Sequence, residues 1–357
     1  MRTQKTVLLK DSATFKKKLL RWSQMFDDVV WLDSNDFNQN NSNFDVVLAV
    51  DAFTSLQTDY NQAFDKLKEY QTTTEDWIFG YLAYDLKNDV EQLKSNNFDG
   101  LGFPDMFFFQ PKKIFFIKGN RLTIQYLRMV DDEFKLDLES INNQKKKTFH
   151  NSNNVKISLR IHKDKYFSKV NELLEHIHRG DIYEANFCQE FFAEKTKIYP
   201  YDTYEKLNAI STPPFASLLK LNDKFLVSAS PERYIMKKGN TVLSQPIKGT
   251  ARRSEDKNED DFLKAQLEND AKERSENIMI VDLVRNDLSK TAIKGSVEVE
   301  ELCKVYTYDQ VHQMISTVKS EVSEDIHSVD IIKTTFPMGS MTGAPKISAM
   351  RIIEELE

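Results

Sequence analysis

The apolar positions of this chain form short unbroken runs in its first half and recur at helical spacing in its second. Asp45–Val50 and Trp77–Tyr84 are apolar runs of strand length and predict buried strands. Met106–Phe116 and Arg121–Leu127 flank Lys118-Gly119-Asn120, which signals a hairpin. From Asp164 the period changes. Phe167, Val170, Leu173, Leu174 and Ile177 lie on one helical face, and Gly180 stands where a C-cap glycine belongs. Strands are predicted at Asn186–Ala193, Phe215–Lys220, Phe225–Ala229 and Arg233–Lys237, with Thr212-Pro213-Pro214 breaking the chain before the second. A long helix runs from Glu273 to Asp287. Strands and helices mix without the regular alternation of a doubly wound sheet, so the pattern predicts an α+β fold with mostly antiparallel sheets.

Two polar stretches interrupt this pattern. Ser34–Phe44 is Asn-rich and reads as a surface loop. Asn142–Asn154 is rich in Asn and Lys and marks a soft boundary between residues 1–150 and 151–357, without implying two independently folding units. Ala344–Glu357 predicts an amphipathic helix with Pro345 in its first turn. Its last residues include Glu354, Glu355 and Glu357, and acids there oppose the helix dipole. That gives the expectation of a sequence cut short of a natural end.

Composition narrows the classes. With 357 residues, 40% of them hydrophobic and 11% aromatic, the chain can bury a full core. A net charge of −6 leaves no basic surface suited to a phosphate backbone, and Lys145-Lys146-Lys147 reads as a solvated loop; nucleic-acid binding is not expected. Two cysteines, Cys188 and Cys303, make neither a disulfide framework nor a zinc site. Neither a signal peptide nor an apolar run of membrane-crossing length is visible, so a soluble cytoplasmic protein with no membrane partner is expected.

The chemistry concentrates after residue 230. Gln245-Pro-Ile-Lys-Gly-Thr250 places Lys248 on a turn bounded by Pro246 and Gly249. A free lysine, with a pKa of about 10.4, is protonated at neutral pH and must lose that proton before its amine can attack carbon. Gly249 allows close approach of a ligand and Thr250 offers a hydroxyl; a plain surface lysine is the alternative. Glu273 and Glu276 share a helix face and could hold Mg²⁺, or could simply form a solvated acidic face. Glu232, in Ala-Ser-Pro-Glu-Arg, is a candidate general acid or base, or else an ion-pair partner of Arg233. Arg285-Asn286-Asp287 suits capping and ion pairing. Phe336-Pro-Met-Gly-Ser-Met-Thr-Gly-Ala-Pro-Lys346 is a Gly-rich turn entering a helix, a natural anion cradle whose spacing is not that of a Walker A loop. His312 alternates with apolar residues as on a strand, in a core or in a cleft.

Taken together the motifs resemble the chorismate-utilising enzymes of the anthranilate synthase component I family, and within it the aminodeoxychorismate (para-aminobenzoate) synthase component I branch. The blocks are Arg-Gly-Asp-Ile-Tyr-Glu-Ala-Asn (179–186), Ser-Pro-Glu-Arg (230–233), Pro-Ile-Lys-Gly-Thr (246–250), the acidic helix (273–287), Gly-Ser-Val (295–297), Val-His-Gln-Met-Ile-Ser (311–316) and Thr-Gly-Ala-Pro-Lys (342–346). A weaker match covers Gly80–Glu91. The resemblance implies an α+β unit with a central sandwich of two mostly antiparallel sheets and helices outside. It implies that Lys248 adds to ring carbon C2 of chorismate while the C4 hydroxyl leaves, that Glu232 serves that hydroxyl, and that ammonia then enters at C4. Related anthranilate and isochorismate synthases typically carry alanine at the Lys248 position.

The same resemblance implies that Glu273 and Glu276 supply half of a Mg²⁺ shell, and that Thr250, His312, Gly339, Ser340, Thr342, Gly343 and Lys346 lie at substrate. It also implies a glutamine amidotransferase subunit as ammonia source, a role in folate precursor synthesis, and a tryptophan pocket at Ser34, Pro214 and Phe215. Met338 departs from the Gly or Ala common in the family. Residues 1–150 match the N-terminal family region and 151–357 the chorismate-binding region without its last segment, which would carry further metal and carboxylate ligands. The alternatives are an anthranilate synthase component I, against which Lys248 argues, and a truncated, non-catalytic binding subunit.

Overall fold

The computed structural model describes residues 1–37, 44–145 and 155–357. Most of the Asn-rich loop, residues 38–43, and the boundary stretch from 146 to 154, with Lys146 and Lys147, lie outside the described residues.

Among the described residues two large sheets dominate, and every strand pairing in them is antiparallel. The first has eight strands. Its order is Arg2–Leu8, Arg121–Leu127, Met106–Lys118, Val46–Thr58, Asp28–Asp33, Phe215–Leu221, Lys224–Ser230, with Phe79–Leu82 also pairing Met106–Lys118. Val46–Val50 is apolar without interruption because both faces of its strand are covered. Val46, Leu48 and Val50 point to a core with Trp22, Trp31, Phe115, Tyr126 and Phe134, whereas Val47 and Ala49 join Phe107, Phe109, Ile114 and Leu219 on the other side. The helix Ser12–Trp22 contributes Phe15, Leu19 and Trp22 to the first core, its N-terminus capped by Asp11 accepting from the Thr14 N–H. Each large side chain buried here adds about 1.5–3 kcal/mol relative to exposure. The Lys118↔Arg121 pair closes the expected hairpin on a two-residue turn with Gly119 at φ +53°.

The chain crosses the soft boundary and returns to this first sheet, because Phe215–Leu221 pairs Asp28–Asp33. The second sheet has five strands: Arg233–Lys238, Thr241–Gln245, Ile247–Arg252, Glu298–Thr307 and Val311–Glu321. The helix Ala271–Ser289 lies over it. Ile280, Val281, Val284 and Leu288 pack with Val242, Val318 and Val322, an i, i+4, i+8 stripe on one helical face.

Two expectations shift. Asn186–Ala193 is not a strand; short ribbons form at Glu184–Ala185 and Phe191–Phe192 instead. Side chains bind the backbone between and beside them: Glu357 accepts from the Cys188 N–H, and Gln189 bonds both the N–H and the carbonyl of Ile161. Pro345 is the N-cap of the last helix, Lys346–Leu356, rather than part of its first turn. Among the described residues no helix is long and apolar enough to cross a membrane.

Candidate active site

Lys248 sits on a strand, not on the turn its neighbours suggest. Ile247–Arg252 pairs Val311–Glu321, and the register slips by one residue between Ile247↔Ile315 and Thr250↔Gln313. Lys248 and Gly249 occupy that bulge, with Gly249 at φ +97°, a conformation that glycine adopts without strain. A bulge re-aims the side chain beside it. A Cβ on Gly249 would also stand 3.2 Å from both a Glu273 carboxylate oxygen and the Met314 Cβ, so the glycine leaves room for the acidic helix.

That helix is held in place by polar contacts. Asp270 caps it by accepting from the Lys272 and Glu273 N–H groups. One turn on, the buried Asn277 amide donates to the carbonyls of Lys248 and Met314 (3.2 Å each), and its oxygen accepts from the Ser316 hydroxyl. Asn277 therefore ties the helix bearing Glu273 and Glu276 to the backbone of Lys248. Sequence reasoning passed over it as one residue of an apolar helical run.

Glu232 lies between the two sheets, on the link from Lys224–Ser230 to Arg233–Lys238. The Arg233↔Gln245 pair brings it to the start of the lysine strand. One of its oxygens accepts from the Ile247 N–H (3.1 Å) and from the Ser340 hydroxyl (2.7 Å). Burial raises its carboxyl above the ordinary glutamate range, while those two donors and the Lys248 charge pull it back.

A residue that sequence reasoning did not single out completes the group. The Lys248 Nζ lies 3.4 Å from Glu184 Oε1, and both side chains are largely buried. Burial raises the Glu184 carboxyl; the Lys248 charge opposes this and Glu276 adds to it. Glu184 stands in a two-residue ribbon with Gly343–Ala344. There Gly343, at φ +146°, comes so close that a Cβ would lie 2.3 Å from the Glu184 carbonyl oxygen.

The remaining expected substrate residues take protein partners. Gly343 is fixed by its approach to Glu184. Gly339 packs under Leu283, whose Cδ2 would be 2.6 Å from an added Cβ. The buried Thr342 hydroxyl donates within its own turn, to the Gly339 and Met338 carbonyls. Lys346 is buried and bonds Asp287 (2.5 Å) and the Thr335 carbonyl (3.1 Å), so its ammonium serves a structural ion pair. His312 is buried, with its ring nitrogens 3.0 Å from Asp260 and from the Thr307 hydroxyl. Ser340 reaches the site through Glu232, and Thr250 is exposed two residues beyond Lys248.

Among the described residues no three His, Cys, Asp or Glu side chains converge on a position that could hold a metal. Glu273 and Glu276 remain two carboxylates on one helix face, a number and chemistry that suit Mg²⁺, which keeps waters and substrate oxygens for its other positions. Glu276 also pairs Lys272 at 3.6 Å. Ser34, Pro214 and Phe215 do meet, in a separate cavity of about 520 Å³ lined also by Trp77, Arg233 and Lys237.

Two antiparallel sheets, with a lysine, a buried glutamate and an acidic helix where the chain passes from one to the other, make up an α+β fold. The chain belongs to the chorismate binding enzyme family, which it matches over residues 25–357. The "Aminodeoxychorismate synthase component 1" of Escherichia coli is 40% identical over 198 residues, 55% of this chain and 43% of that protein. The "Anthranilate synthase component 1" of Thermus thermophilus is 33% identical over 293 residues, 78% of this chain and 62% of that protein. The chain thus spans less than two thirds of the length of either relative. The crystal structure of anthranilate synthase component I from Streptococcus pneumoniae shares the fold, with a TM-score of 0.75 over 90% of this chain and 78% of that one, at 24% identity.

Proposed function

We propose that the protein aminates chorismate at C4, giving 4-amino-4-deoxychorismate for para-aminobenzoate and folate synthesis, with ammonia supplied by a glutamine amidotransferase subunit. The observation that carries this reading is the bulged Lys248 amine held among Glu184, Glu232 and the acidic helix. Lys248 attacks C2, the two ring π bonds shift, and the C4–O bond breaks. Hydroxide leaves poorly, and Glu232 donates the proton that lets it depart as water. Ammonia then adds at C4 and the π bonds shift back, expelling the lysine amine. Splitting one hard displacement into two allylic ones is the gain from a covalent step. Glu273 and Glu276 would hold Mg²⁺, which would supply positive charge for the ring carboxylate.

The anthranilate synthase relatives keep a second reading open. Product analysis of the full chain with chorismate, Mg²⁺ and ammonium separates the two: 4-amino-4-deoxychorismate supports this proposal, and anthranilate overturns it. Chelation of the metal is expected to stop turnover. The Ser34–Phe215 cavity is of a size for an amino acid, and we assign it to tryptophan. Calorimetric titration showing no tryptophan binding would contradict that assignment.

A further inference from the structure

Lys248 can attack carbon only as a free amine, and so some group must take its proton inside a site that bulk water reaches poorly. Three carboxylates reach its segment, Glu232 at Ile247, Glu273 at Gly249 and Glu184 at the amine itself. Glu232 already accepts two hydrogen bonds and, in the proposed reaction, must carry a proton of its own to the leaving hydroxyl. Glu273 lies against Gly249, on the helix assigned to the metal. Glu184 differs from both. Its Oε1 is buried 3.4 Å from the Lys248 Nζ, and that ammonium is the donor it faces. A buried carboxylate oxygen is costly to keep away from a donor, so this contact holds the pair together.

The placement is enforced by the fold. Glu184 is locked by the ribbon to Gly343–Ala344, where the backbones touch so closely that only glycine fits at 343. The Tyr183 N–H donates to the Ala344 carbonyl and the Asn186 N–H to the Thr342 carbonyl, pinning the residues on either side. The Gly-rich turn that reads as an anion cradle thus sets the position of one carboxylate.

We propose that Glu184 is the proton acceptor for Lys248, an assignment that rests on the amination reading above. The Lys248 ammonium transfers one proton to the Glu184 carboxylate, giving a neutral amine and a neutral carboxyl. The freed nitrogen lone pair forms the N–C2 bond. When ammonia expels the lysine, the carboxyl returns its proton and the ion pair is restored. Acid and base duties are then divided between two carboxyls on opposite segments: Glu232 gives a proton to oxygen, and Glu184 takes one from nitrogen. The burial of the Glu184 side chain beside the amine is consistent with this, since burial favours the uncharged carboxyl.

The test uses the full chain with chorismate, Mg²⁺ and ammonium. Glu184→Gln keeps the shape and an acceptor oxygen but cannot take the proton, and kcat is expected to fall about 10²–10⁴-fold with KM for chorismate unchanged. Glu184→Ala is expected to lose as much and to recover with added formate, which replaces the missing carboxylate; loss of folding would not respond to formate. Glu184→Gln turning over at the wild-type rate would overturn the proposal while leaving the Lys248 reading intact. Glu184→Ala that stays inactive in formate while binding chorismate normally would also overturn it. A wild-type chain that yields anthranilate, or no aminated product, overturns the amination reading and this assignment with it.

Discussion

The two sheets differ in how much polarity they bury. In the first, Val46–Val50 is apolar and no more than 1% exposed at any position, and its large buried groups are tryptophans, phenylalanines and leucines. Around the second, the interior holds Ser244, Asp260, Asn277, Asp287, His312, Ser316, Thr317, Ser320, Ser340 and Thr342. Buried polar groups are mostly paired, and hydrogen bonds such as those of Asn277 and His312 fix geometry more narrowly than apolar packing does. The first sheet supplies stability. The second gives up some apolar burial in order to hold Lys248, Glu232 and Glu184 at set positions. Substitutions in the two regions should therefore read out on different instruments.

The largest separation is expected at Glu232. Glu232→Gln removes the transferable proton, and kcat for amination should fall about 10²–10⁴-fold, while the urea midpoint measured below the ordinary glutamate range barely moves. Burial raises this carboxyl, so its stabilising contribution is fully present below the ordinary glutamate range and is lost as pH rises through the raised folded value. Wild type should accordingly lose stability relative to Glu232→Gln as pH climbs through that window; a difference independent of pH would contradict the burial argument.

The converse case is Phe115→Ala in the first core, where the ring is fully buried against Trp22 and Tyr126. About 3–5 kcal/mol of stability should be lost in urea titration, with kcat of the remaining folded protein unchanged. A large fall in kcat there would mean that the two regions are mechanically coupled.

Much of the first region was legible because its signals are local. Val46–Val50 and the Lys118-Gly119-Asn120 hairpin each follow from neighbours in sequence, as does, outside that region, the helix at Lys163–Arg179 with Gly180 as C-cap. The second region depends on contacts between distant segments, and there the reading was less complete. Pro246 and Gly249 suggest a turn around Lys248, yet pairing with Val311–Glu321 makes it a bulged strand. Thr342, Gly343 and Lys346 also contact Gly339, the Glu184 backbone and Asp287, partners that no local pattern in the Gly-rich turn announces. Glu184 was inside a recognised block, Arg-Gly-Asp-Ile-Tyr-Glu-Ala-Asn, but nothing local sets it apart from Asp181, which faces out to pair with Arg179 and His176. The available signal was that this block and Thr-Gly-Ala-Pro-Lys each contain a residue that only a partner strand could explain.

Asn277→Ala probes the link between the regions' styles of packing. It strips donors from the Lys248 and Met314 carbonyls and the acceptor from Ser316, and about 1–3 kcal/mol of stability should be lost. Unlike Phe115→Ala, it should also lower kcat, because the lysine backbone is released. The smallest effect is expected from Arg285→Ala, whose pair with Asp282 is exposed at both ends. Urea titration should register at most about 1 kcal/mol, with turnover unchanged.

The central claim is that the Lys248 nitrogen bonds to the substrate ring. Mass spectrometry of the full chain, quenched with chorismate and Mg²⁺ in the absence of ammonia, tests it most directly. The account predicts an adduct of chorismate less one water on the peptide containing Lys248, absent from Lys248→Ala. Turnover to aminated product by Lys248→Ala at the wild-type rate, with no adduct on that lysine in the wild type, would contradict it.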